Sequence, residues 1–168
     1  MIIAITGPES SGKTTLAIEL SKHFETVYIP ELARFDLQEK DGNYGLAELK
    51  SYAEEMKNLL ATPSPLRFLD SDFLTLQIWE EVKLGSSHLR AIAEKAHQEI
   101  THYLLCKPDL PWTYDPLRED EFSREQLFKQ YEAVLKSWKA SYTIIDGDGP
   151  ERSAKAVQAV LKATKKGS

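Results

Sequence analysis

The stretch Gly7-Pro8-Glu9-Ser10-Ser11-Gly12-Lys13-Thr14 decides the fold, because it matches the pattern G-x-x-x-x-G-K-[ST] of a phosphate-binding loop, or P-loop. Gly7 and Gly12 allow backbone angles that a Cβ would forbid, so successive N–H groups can turn inward around a phosphate. Lys13 supplies a mobile positive charge for phosphates, and the Thr14 hydroxyl can reach a Mg²⁺ ion. The nucleotide-binding residues predicted from this stretch are Gly7, Glu9, Ser10, Ser11, Gly12, Lys13, Thr14 and Thr15.

The sequence on both sides of the loop supports this interpretation. The apolar run 2–5 ends at the first glycine, as a buried parallel strand should. After Lys13, apolar residues recur at helical spacing, namely Leu16, Ala17, Leu20 and Phe24. The order strand, loop, helix is the context that the motif requires, and the helix N-terminus adds its own attraction for anions.

Acidic residues follow two further predicted strands. The run 26–29 reads as a strand, and Glu31 and Arg34 come just after it. A carboxylate there is well placed to hold a substrate hydroxyl, because open α/β sheets bind ligands at the carboxyl ends of their strands. The pair could equally be a surface ion pair at a helix start.

The predicted strand 66–70 ends in Asp70, and an apolar strand ending in aspartate is the Walker B pattern, whose carboxylate holds Mg²⁺. Asp72 lies one step further out, where it could contact a substrate hydroxyl. It could also cap the helix that begins near Phe73, and the two roles are compatible. Asp70 and Thr14 are therefore the predicted metal ligands.

The remaining pattern alternates helices and strands. Helices are predicted from Gly45, over 73–83 with Val82 buried, and from Ser86 with Ile92 buried. Two further strands are predicted over 102–106 and 142–146, and a last helix follows the turn 147–152.

The irregular stretch from Lys107 to about Arg124 is expected to form a lid over a site, since structureless loops of this length are often functional. Arg118 in this stretch could reach a transferring phosphoryl group, or could form a salt bridge with a neighbouring carboxylate. Ser123 is predicted to open a capping box. Arg124, unfavourable in the first turn of the next helix, is a second candidate for contact with phosphate.

Composition excludes several classes of protein. A net charge of −5 over 168 residues argues against nucleic acid as a bulk partner, and no apolar run is long enough to span a membrane. The single cysteine, Cys106, cannot form an internal disulfide, which fits a cytoplasmic location. A strand at the very N-terminus leaves no room for a signal peptide.

The chain resembles one family over nearly its whole length: the ribosylnicotinamide kinase domain of NadR proteins. The likeness is carried by ITGPESSGKTTL at 5–16, the Glu31–Arg34 pair, FLDSDFLTLQ at 68–77 and PW-x-x-D-x-x-R at 111–118. It implies a P-loop NTPase fold of the nucleoside/nucleotide-kinase-like type, a three-layer α/β/α architecture with a five-stranded parallel sheet and a lid. We expect one such domain over 1–168, with the lid at about 107–124.

The resemblance also implies an activity and a set of roles. The family transfers the γ-phosphate of ATP, with Mg²⁺, to the 5′-hydroxyl of nicotinamide riboside. By matched position, Lys13, Glu31, Asp70 and Arg118 would be catalytic. Residues near the riboside would be Glu31, Arg34, Asp72, Trp112 and Asp115. The adenylyltransferase domain of NadR proteins has no counterpart here, so we expect the kinase half alone.

Two alternatives stay open from the sequence. One is a kinase of another small nucleoside or metabolite. The other is a regulatory ATP-binding module without an acceptor, although the chain lacks the N-K-x-D motif of a GTPase switch. The oligomeric state is not predicted.

Overall fold

The computed structural model describes residues 1–32, 44–111 and 123–166. In this part of the chain, strands alternate with helices, as the pattern predicts. The strands are β1 Ile2–Thr6, β2 Val27–Ile29, β3 Arg67–Asp70, β4 His102–Cys106 and β5 Tyr142–Ile145. The helices are α1 Lys13–His23, α2 Leu46–Ala61, α3 Phe73–Trp79, α4 Arg90–Ala96, α5 Arg124–Ser137 and α6 Gly149–Lys166.

The five strands form one parallel sheet in the order β2-β3-β1-β4-β5. Because all strands run the same way, their carboxyl ends share one edge of the sheet. The P-loop leaves this edge from β1, the central strand, between β3 and β4. Asp70 is in register with Ile5, so the end of β3 lies beside the start of the P-loop.

Helices cover both faces of the sheet. Helices α1 and α6 pack on one face, where Leu16, Leu20 and Val160 meet Ile3 and Cys106 in one apolar cluster. Helices α3 and α5 cover the other face, in a cluster that includes Leu74, Ile78, Phe128, Tyr131 and Leu135. The three-layer α/β/α architecture predicted from the sequence is therefore confirmed.

Helix α2 adds a third apolar cluster beside α3 and α4. Its buried residues are Leu49, Tyr52, Ala53 and Met56. Among the described residues, no helix is both long and apolar enough to cross a membrane.

Two burial predictions were wrong. Val82 is 57% exposed and Ile92 is 41% exposed. Helix α3 passes at Glu80 into a π-helical turn, Glu80–Leu84. The wider turn takes more residues per revolution, so Val82 rotates away from the face that a regular α-helix would bury. Helix α4 begins at Arg90 rather than at Ser86, so Ile92 falls early in a short helix.

The late start of α4 has a cause in Glu80. The Glu80 carboxylate, with no exposed surface, accepts hydrogen bonds from the Ser86 hydroxyl and from the His88 and Leu89 N–H groups, each at 2.7 Å. Nδ1 of His88 lies at the same distance. Burial by itself raises the pKa of Glu80, but these hydrogen bonds outweigh it and lower the pKa to about 2. The segment before α4 is thus held to the π-helical turn.

The predicted capping box at Ser123 is also wrong. Ser123 has φ −91° and ψ −5°, which is helical, and its side chain makes no capping hydrogen bond. A capping side chain needs an extended backbone at that residue to reach the free N–H groups of the first turn.

Candidate functional site

The P-loop backbone depends on its two glycines. Gly7 has φ +132° and Gly12 has φ +76°, both in regions that L-residues rarely adopt. A Cβ on Gly7 would lie 2.6 Å from the carbonyl oxygen of Cys106 in β4. Gly7 therefore adopts a backbone angle that a Cβ would forbid, as the sequence predicts, and it also lets the loop pass directly against the neighbouring strand.

Polar groups inside the loop converge on one carbonyl. The Lys13 ammonium donates to the Pro8 carbonyl oxygen at 2.8 Å, and the Ser11 hydroxyl donates to the same oxygen at 2.7 Å. Lys13 and Thr14 begin α1 and are half-buried, whereas Thr15 is exposed. The Lys13 side chain thus lies across the P-loop. Together with the backbone N–H groups of the loop, its ammonium would help to neutralise a phosphate.

Two arginines contact the P-loop from outside. Arg124 of α5 donates to the carbonyl oxygens of Ser10 at 3.4 Å and Leu110 at 3.2 Å. Arg152 of α6 donates to the carbonyl oxygens of Ser11 at 2.6 Å and Lys107 at 3.2 Å. The structure therefore places Arg124 beside the P-loop, and its contact with phosphate stays a prediction.

The sequence analysis missed Arg152. The only signal for it is its place just after the turn that follows β5.

Asp70 closes β3 and is 1% exposed. The N–H of Ser71 donates to the Ile5 carbonyl at 3.0 Å, which fixes Asp70 beside the P-loop strand. The described residues contain no group of three or more His, Cys, Asp or Glu side chains that could hold a metal by themselves. A carboxylate and a hydroxyl nevertheless fit Mg²⁺, which prefers oxygen ligands and takes few from the protein when phosphates and water supply the rest.

Asp72 caps α3, one of the two roles considered from the sequence. Its Oδ1 accepts hydrogen bonds from the Thr6 hydroxyl at 3.0 Å, the Thr75 hydroxyl at 3.2 Å and the Thr75 N–H at 3.4 Å. Burial raises the pKa of Asp72, and these hydrogen bonds only partly offset it. Asp72 is 1% exposed, and its described contacts are hydrogen bonds that stabilise the fold.

Tyr131 of α5 is buried beside ionisable groups. Burial raises the pKa of its phenol, a hydrogen bond with Thr75 lowers it, and the negative charges of Asp72, Glu9 and Glu31 raise it. The three carboxylates therefore act electrostatically on the same phenol.

A cavity of 420 Å³ opens between α3, α5 and the P-loop. Its wall includes P-loop, aromatic, basic and amide side chains: Pro8, Glu9, Tyr44, Ile78, Trp79, Val82, Lys83, Ser123, Gln126, Leu127, Gln130 and Tyr131. This volume lies in the range of small-molecule sites and suits a nucleoside.

One part of the cavity wall has a distinct electrostatic character. The rings of Tyr44 and Trp79 lie 5.7 Å apart, and the Lys83 ammonium lies 4.1 Å from the Tyr44 ring centroid. An aromatic face attracts cations, and Lys83 shows that this one does so. The sequence analysis did not identify Tyr44, Trp79 or Lys83 as site residues. Tyr44 is distant from the other two in sequence, and Lys83 lies in the π-helical turn, which has no clear sequence signal.

Several predicted site residues lie outside the described part of the chain. They are Arg34, Trp112, Asp115 and Arg118. Their roles remain predictions. The described ends of the expected lid, 107–111 and 123–124, do lie at the P-loop.

The parallel sheet order, the P-loop after the central strand and the helices on both faces define a P-loop NTPase fold of the nucleoside/nucleotide-kinase-like type. The chain belongs to the AAA_28 family, described as an AAA domain, which it matches over residues 2–152.

Similar proteins agree with this class. A cytidylate kinase of Sulfurisphaera tokodaii is 29% identical over 96% of this chain and 95% of that protein. A NadR protein solved with NAD and AMP-PNP superimposes with a TM-score of 0.79 at 20% identity over 97% of this chain, and another was solved with NR. The chain spans about half the length of those NadR chains, 49% and 50%. A deoxyadenosine kinase of M. mycoides gives a TM-score of 0.66 at 16% identity over 96% of this chain and 100% of that chain.

Proposed function

We propose that this protein transfers the γ-phosphate of ATP to the 5′-hydroxyl of nicotinamide riboside, giving nicotinamide mononucleotide. The observation that carries the proposal is the cavity, because it joins the P-loop residues Pro8 and Glu9 to the aromatic pair Tyr44 and Trp79. An acceptor bound there would place its hydroxyl near a phosphate held by the loop.

On the nucleotide side, Lys13 would neutralise charge on the β- and γ-phosphates of ATP. Thr14 and Asp70 would hold Mg²⁺. When bound, this ion would supply positive charge that stabilises the negative charge developing during transfer. Arg118 would add positive charge from the lid, as the resemblance implies. The other P-loop residues bind through backbone N–H groups.

On the acceptor side, Glu31 is the better base of the two predicted carboxylates. Asp72 is 1% exposed and is held by hydrogen bonds to its Oδ1, whereas Glu31, just after β2, is only half-buried and is therefore more accessible to a ligand. We assign Glu31 to the proton of the 5′-hydroxyl, and Asp72 to holding α3 in place beside it. Arg34, Trp112 and Asp115 would complete the acceptor site.

The charge of the acceptor base supports nicotinamide riboside. Its ring is permanently cationic, so an aromatic face would attract it by about 0.5–2 kcal/mol. Glu9 lines the cavity beside the P-loop, and its carboxylate would add negative potential there. Lys83 opposes this attraction where it lies over Tyr44, and a cationic ring would compete with its ammonium for that face.

A second candidate acceptor is cytidine monophosphate. Lys83 in the cavity wall could pair with an acceptor phosphate, and the relative of 29% identity is a cytidylate kinase. Nicotinamide riboside carries a positive charge and cytidine monophosphate a negative one. Loss of the Lys83 ammonium should therefore affect their binding in opposite directions.

The test measures ADP release with ATP and Mg²⁺ on four acceptors: nicotinamide riboside, uridine, cytidine and cytidine monophosphate. We expect nicotinamide riboside to exceed uridine by at least about tenfold in kcat/KM. Lys83→Met should leave the KM for nicotinamide riboside unchanged or lower. Lys57→Met, at an exposed position of α2, is the matched control.

Each other outcome changes the conclusion. Turnover of cytidine monophosphate with a KM that rises about tenfold or more in Lys83→Met would identify a nucleotide kinase. Equal use of uridine would indicate a general nucleoside kinase. ATP hydrolysis that ignores every acceptor would favour a regulatory module.

A further inference from the structure

The Arg152 guanidinium donates four hydrogen bonds at and around the P-loop, and no role in the proposed reaction accounts for it. It lies in the first turn of α6 and is 4% exposed. Its Nη2 donates to the Ser11 and Lys107 carbonyl oxygens at 2.6 and 3.2 Å. Its Nη1 donates to Asp109 Oδ1 at 2.9 Å and to the Gly147 carbonyl at 2.8 Å. One guanidinium thus joins the P-loop, the start of the lid and the turn after β5.

The contact with Ser11 has a consequence for the loop. The described peptide bonds are all trans, and in a trans peptide the C=O and N–H groups point in opposite directions. A guanidinium that holds the Ser11 carbonyl on the α6 side therefore directs the Gly12 N–H to the other side of the loop. Arg124 does the same for the preceding peptide, because it donates to the Ser10 carbonyl.

Asp109 allows two possible roles of Arg152 to be distinguished: holding the P-loop peptide, or forming an ion pair with Asp109. Its Oδ2 accepts from the Gly147 N–H at 2.8 Å while its Oδ1 pairs with Arg152, so it ties the lid start to the turn after β5. In the described part of the chain, the Asp109 carboxylate accepts hydrogen bonds from Gly147 and Arg152, which both lie outside the P-loop. If Arg152 served the ion pair alone, loss of Asp109 would reproduce loss of Arg152.

We propose that Arg152 is a positioning residue for the nucleotide: it fixes the Ser11–Gly12 peptide so that the Gly12 N–H faces the phosphates. Buried preorganised donors bind a phosphate without reorganisation when it arrives, which is why loss of the orienting group lowers affinity. The inference rests on the nucleotide side of the proposed function and is independent of the acceptor.

The experiment compares three variants by calorimetric titration with ATP and Mg²⁺ and by thermal unfolding. Arg152→Lys keeps the charge but has a single nitrogen, so it cannot reach Ser11 and Asp109 in the same planar fork. We expect its ATP Kd to rise at least tenfold. Asp109→Asn should lower Tm about as much as Arg152→Lys does, but it should raise the ATP Kd less than threefold. Arg90→Lys, at an exposed arginine paired with Glu81, is the matched control and should change neither quantity.

An unchanged ATP Kd in folded Arg152→Lys would overturn the proposal. A tenfold loss of affinity in Asp109→Asn would also overturn it, since the ion pair would then be the cause, and this variant decides the matter if Arg152→Lys does not fold. The titration contains no acceptor, so its result stands whether or not nicotinamide riboside is a substrate. In steady-state kinetics, the KM for the acceptor should be the same in Arg152→Lys as in the unmodified protein.

Discussion

The hydroxyl of Thr6 donates a hydrogen bond of 3.0 Å to Oδ1 of Asp72, and so joins the last residue of β1 to the residue that caps α3. This bond ties the strand before the P-loop to the helix that forms the cavity wall. Asp72→Asn keeps an acceptor oxygen and removes a buried charge whose pKa is already raised. We expect its free energy of unfolding to change by less than about 1 kcal/mol, whereas Asp72→Ala should lose about 1–3 kcal/mol with its cap. Urea unfolding measures both.

The same pair of variants tests the substrate role of Asp72. If Asp72 contacts the acceptor, Asp72→Asn should lower kcat/KM for the acceptor while the ATP KM stays the same. Unchanged kinetics in a stable Asp72→Asn protein would assign Asp72 to helix capping alone.

Lys13→Ala should leave a folded protein whose turnover falls by about 10²-fold or more, because a preorganised electrostatic contact with phosphate is lost. Circular dichroism checks the fold, and steady-state kinetics at saturating ATP give the turnover. Near-normal turnover would remove Lys13 from the catalytic group.

Asp70→Asn should reduce activity and raise the Mg²⁺ concentration needed for half-maximal rate, since an amide oxygen is a weaker ligand than a carboxylate. A titration of rate against Mg²⁺ measures this. If the Mg²⁺ dependence is unchanged, Glu31 or Asp72 becomes the better candidate for the metal side.

Trp79→Leu should reduce the preference for nicotinamide riboside over uridine, because the cavity loses an aromatic face for the cationic ring. The ATP KM should stay nearly the same. Measuring both acceptors on both proteins gives the ratio, and an unchanged ratio would place the base away from Trp79.

Glu80→Gln should make stability less dependent on acid pH. The Glu80 pKa falls from 4.5 to about 2 on folding, so its stabilising contribution is present above pH 4.5 and disappears as the pH falls through 2. The contribution at neutral pH is about 2–3 kcal/mol. Denaturant unfolding at pH 7 and at pH 2.5 should show a large gap between variant and unmodified protein that narrows in acid. A constant gap would mean that packing, and not charge, makes Glu80 important.

The sequence predicted the P-loop and the aspartate that ends β3, but not the aromatic wall of the cavity. The P-loop and Asp70 could be predicted because each is a local pattern: fixed glycine spacing, or an apolar strand that ends in a carboxylate. Tyr44, Trp79 and Lys83 could not, because Tyr44 is distant from the other two in sequence and the three meet only in the folded chain. Arg152 acts from the far end of the chain, 141 residues from its partner Ser11, and no local pattern reports such a contact.

The wrong predictions concern backbone features that a local sequence pattern does not report. Regular helical spacing placed Val82 in the core, but the wider turn at Glu80 rotated it outward. Ser123 has the residue type of a cap, yet its backbone is already helical, and a sequence pattern does not report backbone angles.

Cys106 lies behind Gly7 with no exposed surface, and burial raises the pKa of its thiol to about 11. A thiol that is both inaccessible and protonated reacts slowly with alkylating reagents. Since the chain has one cysteine, the native protein already behaves like a cysteine-free background for labelling. A cysteine introduced at an exposed position such as Lys57 would take up a fluorophore selectively, so ligand-induced motions could be followed without altering the P-loop environment.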